Sequence, residues 1–398
     1  MIVGVPKELK EYENRVSLTP RSVASIVSHG SKVIVESGAG AKCGFSDDDY
    51  VSAGAAIANA DELYAKSDLI VKVKEIQVSK GEHLRLEPKH TVFCFNHFES
   101  SKEMTEAAAR SGATFISFEK VVDSEGNTPI LMPMSRIAGT LAGIWAGCFS
   151  NHVLRHGSSL RMKAGFDQLK ARIAGDFEQI ASTQKFAGEL ALSLSLHDKL
   201  VVIFGGGNVG ESAARICSAL GAKLLIGEKR DLRRKHLQSL GLNRCTVSAA
   251  IDSDLLKGAS VIIGATYDRE RADRVVDENV LKQVSETRKK VIIDVSIDQG
   301  GNFPFIDQAG RYSPESMGTI MNPAQLDYFG NIFVRVPNMP STVPRYASGA
   351  LSAAITPYVQ AIVAGSMENG LAGAVSIRQG MILDEAVSRA HGMPLAKA

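Results

Sequence analysis

Short apolar and β-branched runs alternate with stretches of helical spacing along most of the chain. Ile2–Val5, Lys32–Glu36, Leu69–Val73, Thr91–Phe95 and Thr114–Ser117 read as buried strands of four to five residues. Between them Pro20–Gly30, Ser46–Gly54, Ala60–Ser67 and Lys102–Ser111 carry helical spacing. Ser46 ahead of Asp47, Asp48 and Asp49 predicts a helix start, because its hydroxyl caps free amides and the acids suit the positive helix end. A second series begins near residue 199, with strands over Lys199–Phe204, Lys223–Gly227, Ser260–Gly264 and Val291–Val295. The helical stretches between these strands fit right-handed crossovers, so the alternation predicts parallel α/β units.

Two such units are expected, joined by a long helix in the small-residue segment Ser135–His156. A further helical stretch, Tyr346–Ala364, returns the chain to the first unit. The predicted fold class is therefore α/β, two doubly wound parallel-sheet domains. One covers residues 135–340, where Gly205-x-Gly207-x-x-Gly210 after an apolar strand marks a Rossmann dinucleotide-binding domain; the other is discontinuous, residues 1–134 with 341–398. Inside the nucleotide domain, Phe166, Leu169, Ile173, Phe177 and Ile180 predict one amphipathic helix within a region at 157–198.

Composition adds exclusions. With 398 residues, 44% hydrophobic and 22% charged, the chain is neither disordered nor collagen-like. Lys and Arg number 45 against 43 Asp and Glu, so charge provides no reason to expect nucleic acid. Cys43, Cys94, Cys148, Cys217 and Cys245 are scattered and read mostly as small buried hydrophobes in a reducing compartment. The opening residues lack a signal-peptide pattern, and Ile137–Phe149 is too short for a membrane span. A cytoplasmic protein without membrane partners is expected. His83, His90 and His97 recur at seven-residue steps, but Pro88 and the strand at residue 91 prevent one helix from presenting them, so no metal is expected.

One motif carries chemistry by its context. Phe204-Gly205-Gly206-Gly207-Asn208-Val209-Gly210 contains G-x-G-x-x-G, follows an apolar strand and opens a helical stretch that Gly221 can end. Gly205 permits the tight turn, Gly207 lets a pyrophosphate approach the backbone, and Gly210 lets helix and strand pack closely. The amides opened by Asn208 and Val209 suit phosphate. Glu228, 18 residues beyond Gly210, can accept hydrogen bonds from ribose hydroxyls and repel a 2′-phosphate, which favours NAD. Lys229 and Arg230 stand ready for the phosphate of NADP if Glu228 swings away.

Four polar residues lie near strand ends or beside a first turn: Arg15, Lys74, His97 and Asp298. In parallel α/β folds ligands bind outside the carboxyl ends of strands, which favours Lys74, His97 and Asp298. Taken singly, each has a plain structural reading as a surface charge, a satisfied histidine or a turn cap.

The motifs together change that. Gly4-Val-Pro-Lys-Glu8, Arg15-Val-Ser-Leu-Thr-Pro20, Glu36-Ser-Gly-Ala-Gly40, Lys72-Val-Lys-Glu75, Pro133-Met-Ser135, Ile297-Asp-Gln-Gly-Gly301 and Asn338-Met-Pro340 occur in this order. In this the chain resembles the alanine dehydrogenase and transhydrogenase N-terminal family, over residues 1 to about 155 and from about 199 onward. The resemblance implies an NAD-dependent dehydrogenase acting on L-alanine or a related small amino acid, releasing the keto acid and ammonia. By resemblance, Arg15 and Lys74 hold the substrate carboxylate and carbonyl, His97 is the acid–base group, and Asp298 is the catalytic aspartate. Asn338 and Met339 lie beside the nicotinamide, and Ser135 contacts the nucleotide side. Two lobes imply hinge closure, and the family resemblance implies a homo-oligomer.

Three departures from that family's pattern stand out. A G-G-V-P-G loop is missing ahead of the nucleotide-binding strand, where the 157–198 region stands instead. The family's M-S-E-x-A-G-R is here Met134-Ser-Arg-Ile-Ala-Gly-Thr140, and the V-L-V-P loop is replaced by Ala265-Thr-Tyr-Asp-Arg-Glu-Arg271. Hydride chemistry on an amino or imino acid is expected to persist, with the amino acid itself open. An opine- or saccharopine-type dehydrogenase, joining a keto acid to a second amino acid's amine, is the alternative. A non-catalytic NAD(H)-binding module of transhydrogenase type is a third reading.

Overall fold

The protein is described from a computed structural model covering residues 1–156, 194–267, 274–297, 300–304, 324–328 and 331–396, with side chains left aside for 151–156 and 324–328. The amphipathic helix expected within 157–198, the charged end of the loop at 265–271, and Asp298 all lie wholly or mostly outside these described residues. The chain divides into two compact units, Met1–Met134 with Pro344–Ala398, and Ser135–Val343.

The first unit begins with β1 (Ile2–Val5), β2 (Lys32–Glu36), β3 (Ala56–Ala58), β4 (Leu69–Val71), β5 (Thr91–Cys94) and β6 (Thr114–Ser117). The second contains β7 (Leu200–Phe204), β8 (Lys223–Gly227), β9 (Cys245–Ser248), β10 (Ala259–Gly264), β11 (Val291–Asp294), β12 (Ala324–Tyr328) and β13 (Asn331–Val334). The chain then returns to the first unit for β14 (Val375–Arg378) and β15 (Met381–Ile382).

In the first unit the sheet order is β15-β14-β6-β5-β4-β1-β2-β3, parallel from β6 to β3 and antiparallel at β14 and β15. In the second it is β12-β13-β11-β10-β7-β8-β9, with β12 alone antiparallel. Each sheet therefore reverses its winding once, between β1 and β4 and between β7 and β10. A crevice opens at such a point because the helices leave to opposite faces. The central strands are buried on both sides, which is why they read as unbroken apolar runs: Val3, Val5, Leu69, Ile70, Val71, Val92 and Phe93 are fully buried, as are Val201, Val202, Ile203, Ile262 and Ile263.

Local chemistry sets the element ends. Ser46 caps the helix Asp47–Ser52 as expected: its Oγ accepts from the Asp49 amide at 3.2 Å, and the Asp49 carboxylate accepts from the Ser46 amide at 2.7 Å. Strand β4 stops at Val71, two residues earlier than its apolar run suggests, because the amides of Val73 and Lys74 turn to the Glu8 carboxylate at 2.6 and 3.2 Å.

In the second unit, the helix Leu131–His156 lies parallel to the helix Asn208–Ala219, and glycine makes this possible. A Cβ on Gly139 would lie 2.1 Å from the Val209 carbonyl oxygen, and one on Gly143 would lie 2.7 Å from Ile216 Cβ. One on Gly147 would meet the Leu194 carbonyl oxygen at 2.5 Å and Leu220 at 3.2 Å. Glycines at four-residue spacing thus bring two backbones nearly into contact.

Candidate functional site

In the first unit the polar residues gather where β1, β4 and β5 end, at the reversal of strand order. The segment after β1 crosses the end of β4, since Ser17 Oγ donates to the Val71 carbonyl at 2.7 Å. This places Arg15 over the strand ends with its guanidinium buried. The Arg15 fork grips Glu13, Nε at 2.8 Å and Nη2 at 2.6 Å, while Nη1 lies 3.1 Å from the Met134 thioether. Glu13 also takes the Arg15 amide at 2.9 Å, so the loop is self-clamped. Lys74, buried, follows β4, and its amide is held by Glu8. Beneath it lies the fully buried ion pair Lys72–Glu82, in which Glu82 also accepts from Tyr64 Oη at 2.9 Å and the Gln77 amide at 2.8 Å.

His97 follows β5 in the left-handed conformation, φ +46° and ψ +41°. Its register relative to Lys74 is fixed by the Phe95 amide, which donates to the Val73 carbonyl at 3.0 Å, so the residues beyond each strand end advance side by side. The imidazole stacks parallel to Phe95, with ring centroids 5.9 Å apart. Burial and then the nearby Lys74 push its pKa down, against a smaller opposing pull from Glu75. A third of the side chain still reaches solvent, so desolvation is incomplete; the direction suffices to keep the ring neutral at pH 7.

Glu75 moves the other way. Burial raises it, but Lys74 and Lys10 together outweigh that and hold its carboxyl at about 2, with Lys10 Nζ at 2.5 Å. Glu8 and Glu119 are pushed up to about 7, mainly by burial. Arg15, Lys74 and His97 thus share one strand-end region with Glu8, Glu13, Glu75 and Glu119. None of these four acids was singled out from sequence as a candidate. Their signal was faint but present: each lies next to, or within two residues of, a basic residue near a strand end.

In the second unit, Gly205 ends β7 with φ +96°, and its amide donates to the Gly227 carbonyl at 2.8 Å. A Cβ there would lie 2.5 Å from the Ala265 carbonyl oxygen, across the reversal between β7 and β10. A Cβ on Gly210 would lie 1.8 Å from the Gly205 carbonyl oxygen. Gly207 differs: the nearest atom to its virtual Cβ is Arg230 Nη2 at 4.0 Å, so the backbone here faces open space. Asn208 and Val209 begin the helix just beyond it. The glycines therefore have the separate jobs that a dinucleotide turn requires, and the cradle fits a pyrophosphate.

Glu228 is buried at the end of β8 and accepts from the Gly206 amide at 3.0 Å. The Arg230 fork takes both its oxygens, Nε at 2.9 Å and Nη2 at 3.0 Å. Burial raises the carboxyl, but Arg230 and the Gly206 amide hold it below its ordinary value. Ser135 stands one turn before Gly139 on the same helix, and Gly139 packs against the Val209 carbonyl at the start of the helix that follows the glycine turn. Asn338 and Met339 follow β13; Asn338 is left-handed at φ +57° and Met339 is buried. Asp294, fully buried at the end of β11, accepts from the Ser296 and Asn302 amides at 3.1 and 2.8 Å, and burial pushes it up to about 7. Among the described residues no group of three or more His, Cys, Asp or Glu could hold a metal ion, and no helix is long and apolar enough to cross a membrane.

Two doubly wound sheets, one with a glycine turn and an acid at the end of the next strand, define a nucleotide-binding protein of the two-domain α/β class. Comparison with known proteins narrows this. Residues 4–138 match the alanine dehydrogenase/PNT N-terminal domain and residues 181–388 the C-terminal domain. The chain is 30% identical to an alanine dehydrogenase of Mycolicibacterium smegmatis, over all of this chain and 99% of that protein. It is 31% identical to one of Bacillus subtilis, over all of this chain and 97% of that one. A solved L-alanine dehydrogenase superposes with TM-score 0.78 at 28% identity, covering 98% of this chain and 99% of that one. A transhydrogenase from Sinorhizobium meliloti shares the fold, with TM-score 0.72 at 19% identity and coverage of 97% and 100%. The chain belongs to the alanine dehydrogenase/PNT family.

Proposed function

We propose that the protein is an NAD-dependent amino-acid dehydrogenase that interconverts L-alanine, or a closely related small amino acid, with its keto acid and ammonia. The observation that carries this is the gathering of Arg15, Lys74 and His97 at one reversal point of the first sheet. The sites of the first unit supply a fork for a carboxylate, a point charge for a carbonyl oxygen and a neutral base. In the amination direction, keto acid, ammonium ion, NADH and a proton become amino acid, NAD and water.

Arg15 shares its fork between Glu13 and the substrate carboxylate, which orients the acid end. Lys74 polarises the carbonyl oxygen and favours its loss as water after ammonia adds. His97, neutral at pH 7, takes and returns the protons as carbinolamine and imine interconvert. Asp298 steadies positive charge at the imine. When bound, the nicotinamide supplies the hydride. Gly205, Gly207, Asn208, Val209 and Gly210 would hold the pyrophosphate, Glu228 the adenosine ribose, Ser135 the nucleotide side, and Asn338 with Met339 the nicotinamide. Glu228 supports NAD over NADP because its carboxylate stays ionised where a 2′-phosphate would lie.

The test is NADH oxidation followed by absorbance, with keto acids crossed against ammonia and amino acids. Pyruvate with ammonia is expected to turn over, and His97→Ala to lower kcat by roughly 10²- to 10⁴-fold, leaving a measurable residual rate. Oxidation that needs a second amino acid in place of ammonia would move the assignment to an opine-type reaction. If no keto acid promotes NADH oxidation, the dehydrogenase reading falls.

A further inference from the structure

Glu119 is drawn into the site by geometry that the reaction outlined above leaves unused. It sits two residues beyond Ser117, the end of β6, and Ser117 pairs in register with Cys94 at the end of β5. One oxygen of its carboxylate accepts from the His97 amide at 2.7 Å and the other from the Asn96 amide at 3.3 Å. The first oxygen also lies 3.8 Å from His97 Nδ1. The carboxylate is nearly buried, with 11% of the side chain exposed. Its basic neighbour Lys120 is committed elsewhere, to Glu99 and to Asp384 at 3.1 Å.

His97 needs such a hold. A left-handed φ of +46° is sparsely populated by a residue that carries a Cβ, so the chain leaves it unless something fixes it. Two successive amides converging on one carboxylate do this. A second tie closes the circuit: Phe118, immediately before Glu119, packs edge-on against Phe95 at 5.1 Å, and Phe95 stacks on the His97 ring. The imidazole is thus fixed through its backbone on one side and its ring face on the other.

We propose that Glu119 is a positioning residue that sets the attitude of the His97 imidazole by holding its left-handed backbone, and so acts on turnover entirely through His97. The proposal rests on the acid–base role of His97 given above. Both oxygens must accept, which explains a carboxylate here. Glutamine would put an NH2 group against one of the two amides, donor to donor. Aspartate would keep both acceptors but withdraw them by one methylene.

The experiment is a double-mutant cycle on NADH oxidation with pyruvate and ammonia, using Glu119→Gln, His97→Gln and the pair. Glu119→Gln should lower kcat roughly tenfold to hundredfold, the scale of a misplacement of about 1 Å, with little change in the pyruvate KM. In the His97→Gln background the same change should cost less than about twofold. Glu119→Asp, shorter but with both acceptors, should recover part of kcat; melting curves of all variants establish that each is folded. Equal losses from Glu119→Gln in both backgrounds would overturn the positioning role and leave the dehydrogenase reading standing. Full activity in His97→Gln would overturn the role of His97 and this proposal with it.

Discussion

Two glycines of the nucleotide turn, three residues apart, should fail in different ways when each gains a methyl group. At Gly210 the new Cβ would lie 1.8 Å from the Gly205 carbonyl oxygen. Ordinary carbon–oxygen contact demands that helix and turn separate by about 1 Å or more. Overpacking against backbone, which cannot rotate away, costs about 3 kcal/mol. For a unit of this size that lowers the melting temperature by roughly 6–12 °C. At Gly207 the φ of −68° suits any L-residue, and the nearest atom is an arginine nitrogen 4.0 Å away. Gly207→Ala should therefore leave the fold unharmed, and the stiffer unfolded chain adds about 0.4–1 kcal/mol of stability. What it obstructs is the pyrophosphate: a methyl between phosphate and backbone should weaken NADH binding by about 1–3 kcal/mol, or roughly 5- to 150-fold in Kd. Thermal melting and NADH fluorescence titration read the two effects separately. A Gly210→Ala protein that melts with the wild type, or a Gly207→Ala protein that binds NADH with unchanged affinity, would refute the assignment of these jobs.

Further outcomes follow from the first unit. Lys72→Met should cost about 3–5 kcal/mol in urea unfolding, because it strands the buried Glu82 carboxylate; adding Glu82→Gln should recover part of it, its one carbonyl oxygen accepting from the Gln77 amide while its NH2 donates to the Tyr64 hydroxyl, which turns from donor to acceptor. The Glu75 carboxyl sits at about 2 in the fold against an ordinary 4.5, and its side chain is only 13% exposed. Its contribution, about 3 kcal/mol, is complete above pH 4.5 and is lost as pH falls through about 2, so unfolding of Glu75→Gln between pH 7 and pH 2 should show a shallower decline than wild type. Arg15→Lys removes the fork; the keto-acid KM should rise roughly ten- to hundredfold, with kcat less affected.

The site was legible in parts that differ in kind. Gly205, Gly207, Gly210 and Glu228 could be read because backbone geometry dictates their spacing, and every turn of this type needs the same gaps. Arg15, Lys74 and His97 could be nominated as residues beside strand ends, but singly each had a plain structural reading. The acids Glu8, Glu75 and Glu119 escaped notice because each meets a partner that is distant in sequence: Glu8 reaches the amides of Val73 and Lys74, Glu75 the ammonium of Lys10, and Glu119 the amides of Asn96 and His97, whereas Glu13 pairs locally with Arg15 and only its burial comes from the fold. The strands β3 and β9 escaped for another reason. Ala56–Ala58 is short and alanine-rich, and Cys245–Ser248 is polar and half exposed, so neither shows the apolar run of a central strand.

Periodicity along the chain was enough to determine the alternation of strand and helix, the glycine turn and the helix start at Ser46, since each depends on neighbours within a few residues. Tertiary structure alone decided which charges are buried together. It put Lys72 against Glu82, clamped Arg15 on Glu13, and drove Glu75 down while Glu8 and Glu119 rose. The reason is physical: a carboxylate's proton affinity is set by desolvation and by the charges packed around it, and those come from parts of the chain that meet only once it has folded.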